Sequence, residues 1–119
     1  MTYRVRPATG EDYKAIYQMA KLTGGGFGRP PKPLTPGAEA LFGVVRQAGA
    51  DLGQAIAWQP SGGVCDGNNI AACGVPVVDT MGVRGGKIHS MEEFLIVESL
   101  KERAALSALT ILRLAGGAA

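Results

Sequence analysis

Ser61-Gly62-Gly63 followed by Val64-Cys65-Asp66 places a turn poor in side chains directly ahead of a short helical stretch. Free N–H groups at such a turn favour an anion, a carboxylate for example. Asp66 falls in the first helical turn, where a carboxylate either helps shape a ligand site or caps the helix. The one histidine, His89, follows a second glycine-containing loop that holds Gly85-Gly86. Imidazole there suits a zinc ligand, an acid–base group or a hydrogen-bonded structural residue, and the residues alone leave these readings side by side. A single histidine cannot build a multi-histidine metal site, so any metal chemistry needs ligands from elsewhere.

These groups need elements to hold them. Tyr3 and Val5 alternate as in a strand before Pro7, and Thr9 with Asp12 has the spacing of a capping box. Tyr13, Ile16, Tyr17 and Ala20 then lie on one helical face that ends near Thr23 and Gly24–Gly26. Glycines and prolines from Gly24 to Pro33 interrupt it. Thr35-Pro36 opens a second helix carrying Ala38, Leu41, Phe42 and Val45, with an end at Gly49 or Gly53. Gln54–Gln59 reads as a short strand, Asn68–Cys73 as a helix stopped by Gly74, and Val75, Val77 and Val78 as a strand. After the loop Arg84–Lys87, Phe94–Val97 is extended. Ser99 with Glu102 predicts the cap of the longest helix, and the apolar run Leu100–Ala115 predicts that it is largely buried. Strands alternating with helices predict an α/β chain.

With 119 residues, 46% of them hydrophobic and 18% charged, the chain has the composition of one small globular unit. Its 18 glycines are roughly twice the average share, which implies many turns. A net charge of +2 with scattered Lys and Arg argues against nucleic acid as a partner. The absence of an 18-residue apolar run or a signal-like start predicts no membrane association and a cytoplasmic location. Cys65 and Cys73, without a CxxC pair, read as reduced core cysteines.

Four blocks occur in order: GRPPKP at Gly28–Pro33, SGGVCDGNN at Ser61–Asn69, GVPVVDTMGVRGGKIHS at Gly74–Ser90, and EEFLIVESLKERAALSALTILRLA at Glu92–Ala115. Together they resemble the C-terminal part of the di-zinc aminoacylase and carboxypeptidase family, which includes glutamate carboxypeptidases, acetylornithine deacetylase and succinyl-diaminopimelate desuccinylase. The resemblance covers about residues 26–115. It implies a partial three-layer α/β catalytic domain over residues 26–119, with a mixed sheet and helices, preceded by a short β-α segment over residues 1–25. The implied reaction is zinc-assisted hydrolysis of amide bonds in carboxylate-bearing substrates, N-acyl amino acids or peptides.

The resemblance implies roles position by position. His89 matches the family's last metal ligand. Asp66 matches the acidic position of its glycine-rich block, beside the substrate pocket and outside the metal's ligand set. Ser61, Gly62 and Gly63 match the stretch next to the bound substrate carboxylate, and Arg29 matches an arginine suited to bidentate carboxylate capture. The alternative reading of Arg29 is a surface arginine before a proline turn. The family's other ligands and its general-base glutamate lie upstream of its lid domain, and nothing before Gly24 matches them. Glu92-Glu93 follows His89 and is read as a solvated edge. The chain by itself is therefore expected to be inactive, and an exposed sheet edge and the last helix are expected to permit self-association.

Tyr3–Phe27, YRVRPATGEDYKAIYQMAKLTGGGF, instead resembles the opening of arginine N-succinyltransferase, an acyltransferase of the GNAT superfamily. Arg46-Gln47-Ala48-Gly49-Ala50-Asp51 departs from that superfamily's CoA-binding turn, because Asp51 stands where Gly or Ala is needed. The two resemblances meet at Gly25-Gly26-Phe27, as in a junction of two coding sequences. An acyltransferase fragment and a small non-enzymatic α/β interaction module are the alternative readings.

Overall fold

A computed structural model of the chain describes residues 6–22, 29–59 and 64–118. Among them are four helices, α1 (Tyr13–Leu22), α2 (Pro36–Asp51), α3 (Asp66–Ala72) and α4 (Glu98–Ala115). One antiparallel ribbon joins β1 (Gly85–Gly86) to β2 (Phe94–Leu95), with Gly85 opposite Leu95 and Gly86 opposite Phe94. The chain is thus mixed α/β and mostly helical. The strand expected at Tyr3 and Val5 lies outside the described residues.

The helix starts follow local chemistry. The Thr35 hydroxyl accepts from the Ala38 N–H at 3.2 Å, and Pro36 occupies the first position of α2. Asp12 accepts from the Thr9 N–H at 2.8 Å, and a 3-10 turn over Gly10–Asp12 leads into α1. The Arg6 guanidinium on that carboxylate holds it down to about 2. Gly74 leaves α3 with φ +83°, a left-handed conformation that glycine adopts without strain.

Two starts differ from expectation. α3 begins at Asp66, two residues before Asn68, because Cys65 takes the N-cap position and the Asn68 carboxamide accepts from its N–H at 3.0 Å. Ser99 lies inside the first turn of α4 and does not cap it. Its fully buried hydroxyl donates to the Ile96 carbonyl at 2.5 Å and accepts from the Arg84 N–H at 2.8 Å, tying the ribbon to α4. Glu102, the expected capping partner, pairs with Arg84 at 3.1 Å.

α2 and α4 pack through Val45, Ala48 and Leu106, with Ile56, Val78, Met81 and Leu109 around them. The Asp51 carboxylate accepts from Arg113, and the Gln54 carboxamide donates to the Glu102 carbonyl at 2.9 Å, so polar clips flank this small core.

The mixed sheet of a three-layer domain is not formed among the described residues. Segments 54–59 and 75–78 place Ile56 and Val78 against the helices, as strands of a buried sheet would. Among the described residues, however, no backbone–backbone hydrogen bond joins 55–59 or 75–80 to another segment. Apolar alternation brings an extended segment to a core, but a strand also needs a neighbour to complete its ladder. α4 is buried on one face only, at Ser99, Leu106 and Thr110, contrary to the expectation of a largely buried helix.

Candidate functional site

The prolines at 30, 31 and 33 keep the segment ahead of α2 extended, and it lies across the start of α3. The buried Asn68 holds it there, donating from Nδ2 to the Pro30 carbonyl at 2.9 Å while its other end caps α3. Arg29 Nη2 then meets Asp66 Oδ1 at 2.7 Å, and Lys32 Nζ meets Asp79 Oδ2 at 2.7 Å. Cys65 Sγ donates to the same Asp79 oxygen at 3.1 Å. A side chain at Gly67 would be tight, because its Cβ would stand 3.0 Å from Asp79 Oδ2 and 3.1 Å from Val77 Cγ1 and both would have to give by a few tenths of an ångström. Lys32 also lies 5.9 Å from the Trp58 ring centroid, and Trp58 meets Phe42 edge-on at 4.7 Å.

Two of the expected site residues, Arg29 and Asp66, are therefore brought together. Asp66 keeps 86% of its side chain exposed, so the pair adds about 1 kcal/mol or less. A substrate carboxylate at Arg29 would share the guanidinium with Asp66. Ser61, Gly62 and Gly63 lie outside the described residues. His89 sits in the turn between β1 and β2 with φ +65° and shares no hydrogen bond or ion pair with the Arg29–Asp79 cluster. Its backbone N–H donates to Glu93 at 3.2 Å, while Lys87 and Glu92 pair at 2.7 Å. Glu92 and Glu93 are exposed at this turn, the solvated edge expected of them.

Zinc is the group the sequence resemblance implies, and the described residues offer His89 toward it without completing a ligand set. His89 is exposed, and no group of three or more His, Cys, Asp or Glu among the described residues could hold a metal ion. A catalytic zinc needs about three protein ligands. Cys73 is exposed and Cys65 half-buried, both as free thiols, so neither is the core cysteine expected.

Residue type and spacing along the chain do not single out Lys32 and Asp79. The available signal was an aspartate closing the apolar run Val75–Val78, since a charge there needs a partner. The Lys32 ammonium, and secondarily the Cys65 thiol, holds Asp79 below the usual carboxylate range, against an opposing push from burial. The folded value is the lower one, so this contribution is complete above about pH 4 and is lost as pH falls through the folded value. Lys32→Gln is expected to move the Asp79 midpoint upward in a carboxyl NMR titration; an unchanged midpoint would show that Lys32 does not set it.

Beside the cluster, Lys32, Thr35, Ala38, Ala71 and Val77 line a shallow cleft of about 40 Å³, well short of the roughly 300 Å³ at which small-molecule sites begin. Compared with family models, with curated proteins and with solved structures, the chain matches none. The class that fold and cluster define is a mostly helical α/β chain in which one ion-paired cluster fastens a proline-rich segment to a short helix. Among the described residues, no helix is long and apolar enough to cross a membrane.

Proposed function

We propose that the chain is part of a zinc-dependent amidohydrolase or peptidase that cleaves amide bonds of carboxylate-bearing substrates, N-acyl amino acids or peptides, and that it has no activity alone. One observation carries this reading. Three of the four motif blocks converge on a single cluster, through Arg29 with Asp66 and Lys32 with Asp79, across separations of 37 and 47 residues. Segments 55–59 and 75–78, without ladder bonds among the described residues, beside a half-covered helix layer support it, because they are what part of a larger sheet domain would leave open. In this reading residues 26–119 are the C-terminal part of a three-layer catalytic domain. Arg29, with Ser61, Gly62 and Gly63, addresses the substrate carboxylate, Asp66 orients Arg29, and His89 supplies one imidazole to a zinc site whose other ligands come from outside this chain.

The test is complementation. The purified chain with Zn²⁺ is expected to leave N-acyl amino acids and dipeptides intact. Co-expression with a segment carrying the family's upstream ligands and general-base glutamate is expected to yield zinc-dependent hydrolysis that His89→Ala abolishes. A folded, associated but inactive mixture would overturn the reading, and turnover by the chain alone would overturn its inactivity.

A further inference from the structure

A thiol and an amine from distant parts of the chain share one oxygen atom. Lys32, on the proline-held segment ahead of α2, places Nζ 2.7 Å from Asp79 Oδ2, and Cys65, at the N-cap of α3, places Sγ 3.1 Å from the same oxygen. Two groups bound to one atom are neighbours of each other. Asn68 keeps both segments in place, donating to the Pro30 carbonyl at 2.9 Å and accepting from the Cys65 N–H at 3.0 Å. On its other side Lys32 faces the Trp58 ring, 5.9 Å from its centroid, and its side chain is only 16% exposed. The amine is thus held where the thiol can meet it. A small solute still reaches them, since the Asp79 side chain is 30% exposed and Cys65 is half-buried.

We propose that Cys65 and Lys32 form a peroxide-responsive pair that closes into a sulfur–nitrogen bond and fixes the proline-rich segment to α3 covalently. Hydrogen peroxide oxidises the Cys65 thiol to a sulfenic acid; one peroxide oxygen stays on sulfur and the other leaves as water. The Lys32 ammonium gives a proton to Asp79, the acceptor already bonded to it, which passes it to solvent. The freed amine attacks sulfur, the S–O bond breaks, and the departing hydroxide leaves as water with a second proton from nitrogen. The product is a sulfenamide, the condensation open to a sulfenic acid with a nitrogen beside it. A thiol reductant supplies two electrons and restores thiol and amine. An ion pair and hydrogen bonds now fasten this segment, and acid or water loosens them. The sulfur–nitrogen bond replaces that hold, removes the lysine charge and leaves Asp79 without these two donors. The proposal stands independently of the enzymatic reading.

The test uses the full chain carrying Cys73→Ser, which removes the exposed competing thiol. It is treated with hydrogen peroxide, digested with trypsin without reductant and measured by mass spectrometry. Arg29 and Lys32 each precede a proline, so trypsin leaves residues 22–46, with Lys32, and residues 47–84, with Cys65, as whole peptides. The expected product is these two peptides joined, lighter than their sum by two hydrogens and separated by dithiothreitol. The urea midpoint of the treated chain is expected to rise and to fall back on reduction, as for other covalent cross-links. Lys32→Arg keeps a cation for Asp79 but offers a guanidinium that does not deprotonate, so it is expected to lose the joined product and accumulate sulfinic acid at Cys65. Oxidation of Cys65 without joined peptides in the Lys32 chain overturns the proposal. So does a joined product that forms equally in urea-unfolded chain, or one that persists in Lys32→Arg.

Discussion

Leu106→Ala is expected to lower stability by about 2–5 kcal/mol, the range for removing a large buried aliphatic side chain. Leu106 is 1% exposed and meets Val45 and Ala48, with Ile56, Val78, Met81 and Leu109 around it. These contacts tie α2 and α4 to both unpaired extended segments, so the substitution opens a cavity where all four meet. Helix propensity works the other way, since Ala exceeds Leu, but only by a few tenths of a kcal/mol. A loss of this size is a large share of the roughly 5–15 kcal/mol that holds a typical domain together. Urea unfolding followed at 222 nm measures it. Ile88→Ala, at a position 70% exposed, is the control and is expected to stay within about 0.5 kcal/mol. Equal effects at the two positions would mean that the layer around Leu106 is not the chain's core.

Gly49→Ala separates tertiary packing from helix propensity by the sign of its effect. Within an isolated helix the change favours folding by about 1 kcal/mol. Here Gly49 is buried in the last turn of α2, and an added Cβ would lie 2.4 Å from Ile56 Cγ1 and 3.0 Å from the Gln54 carbonyl oxygen. Ile56 can yield only by leaving the core. The Gln54 carbonyl is less free still, because the Gln54 N–H donates back to the Gly49 carbonyl at 2.7 Å. Overpacking of this kind costs about 1–3 kcal/mol and exceeds the propensity gain. The expected result is a lower urea midpoint with no change in slope; a higher midpoint would show that segment 54–59 swings clear of the helix at little cost. Gly43, on the same helix with nothing within 4 Å of its added Cβ, is expected to respond in the opposite direction to alanine.

The two glycines illustrate which parts of the fold were legible in the sequence. The second helix could be placed from Thr35-Pro36 and the spacing of Ala38, Leu41, Phe42 and Val45, since capping and helical periodicity act within one or two turns of chain. Gly74 likewise marked the stop of α3. Ser99 and Glu102 had the spacing of a cap, yet a ribbon arriving from Arg84 takes both side chains, and spacing along the helix carries no trace of it. Gln54–Gln59 and Val75–Val78 had the alternation of strands, but alternation reports one buried face and not the presence of a neighbour.

At the candidate site the same division holds. The residue types at Arg29, Asp66 and His89 suggested carboxylate and metal chemistry, and folding joins the first two while leaving His89 on a separate turn. The sequence by itself determined the helices α1, α2 and α3 to within a few residues, the surplus of turns and the apolar character of α4 on both sides, because these depend on interactions between near neighbours. Only the tertiary structure decided that Lys32 meets Asp79, that Gly49 must stay small and that one side of α4 is open. Each of these depends on which distant segment arrives beside a residue and which does not, and local spacing does not contain that information.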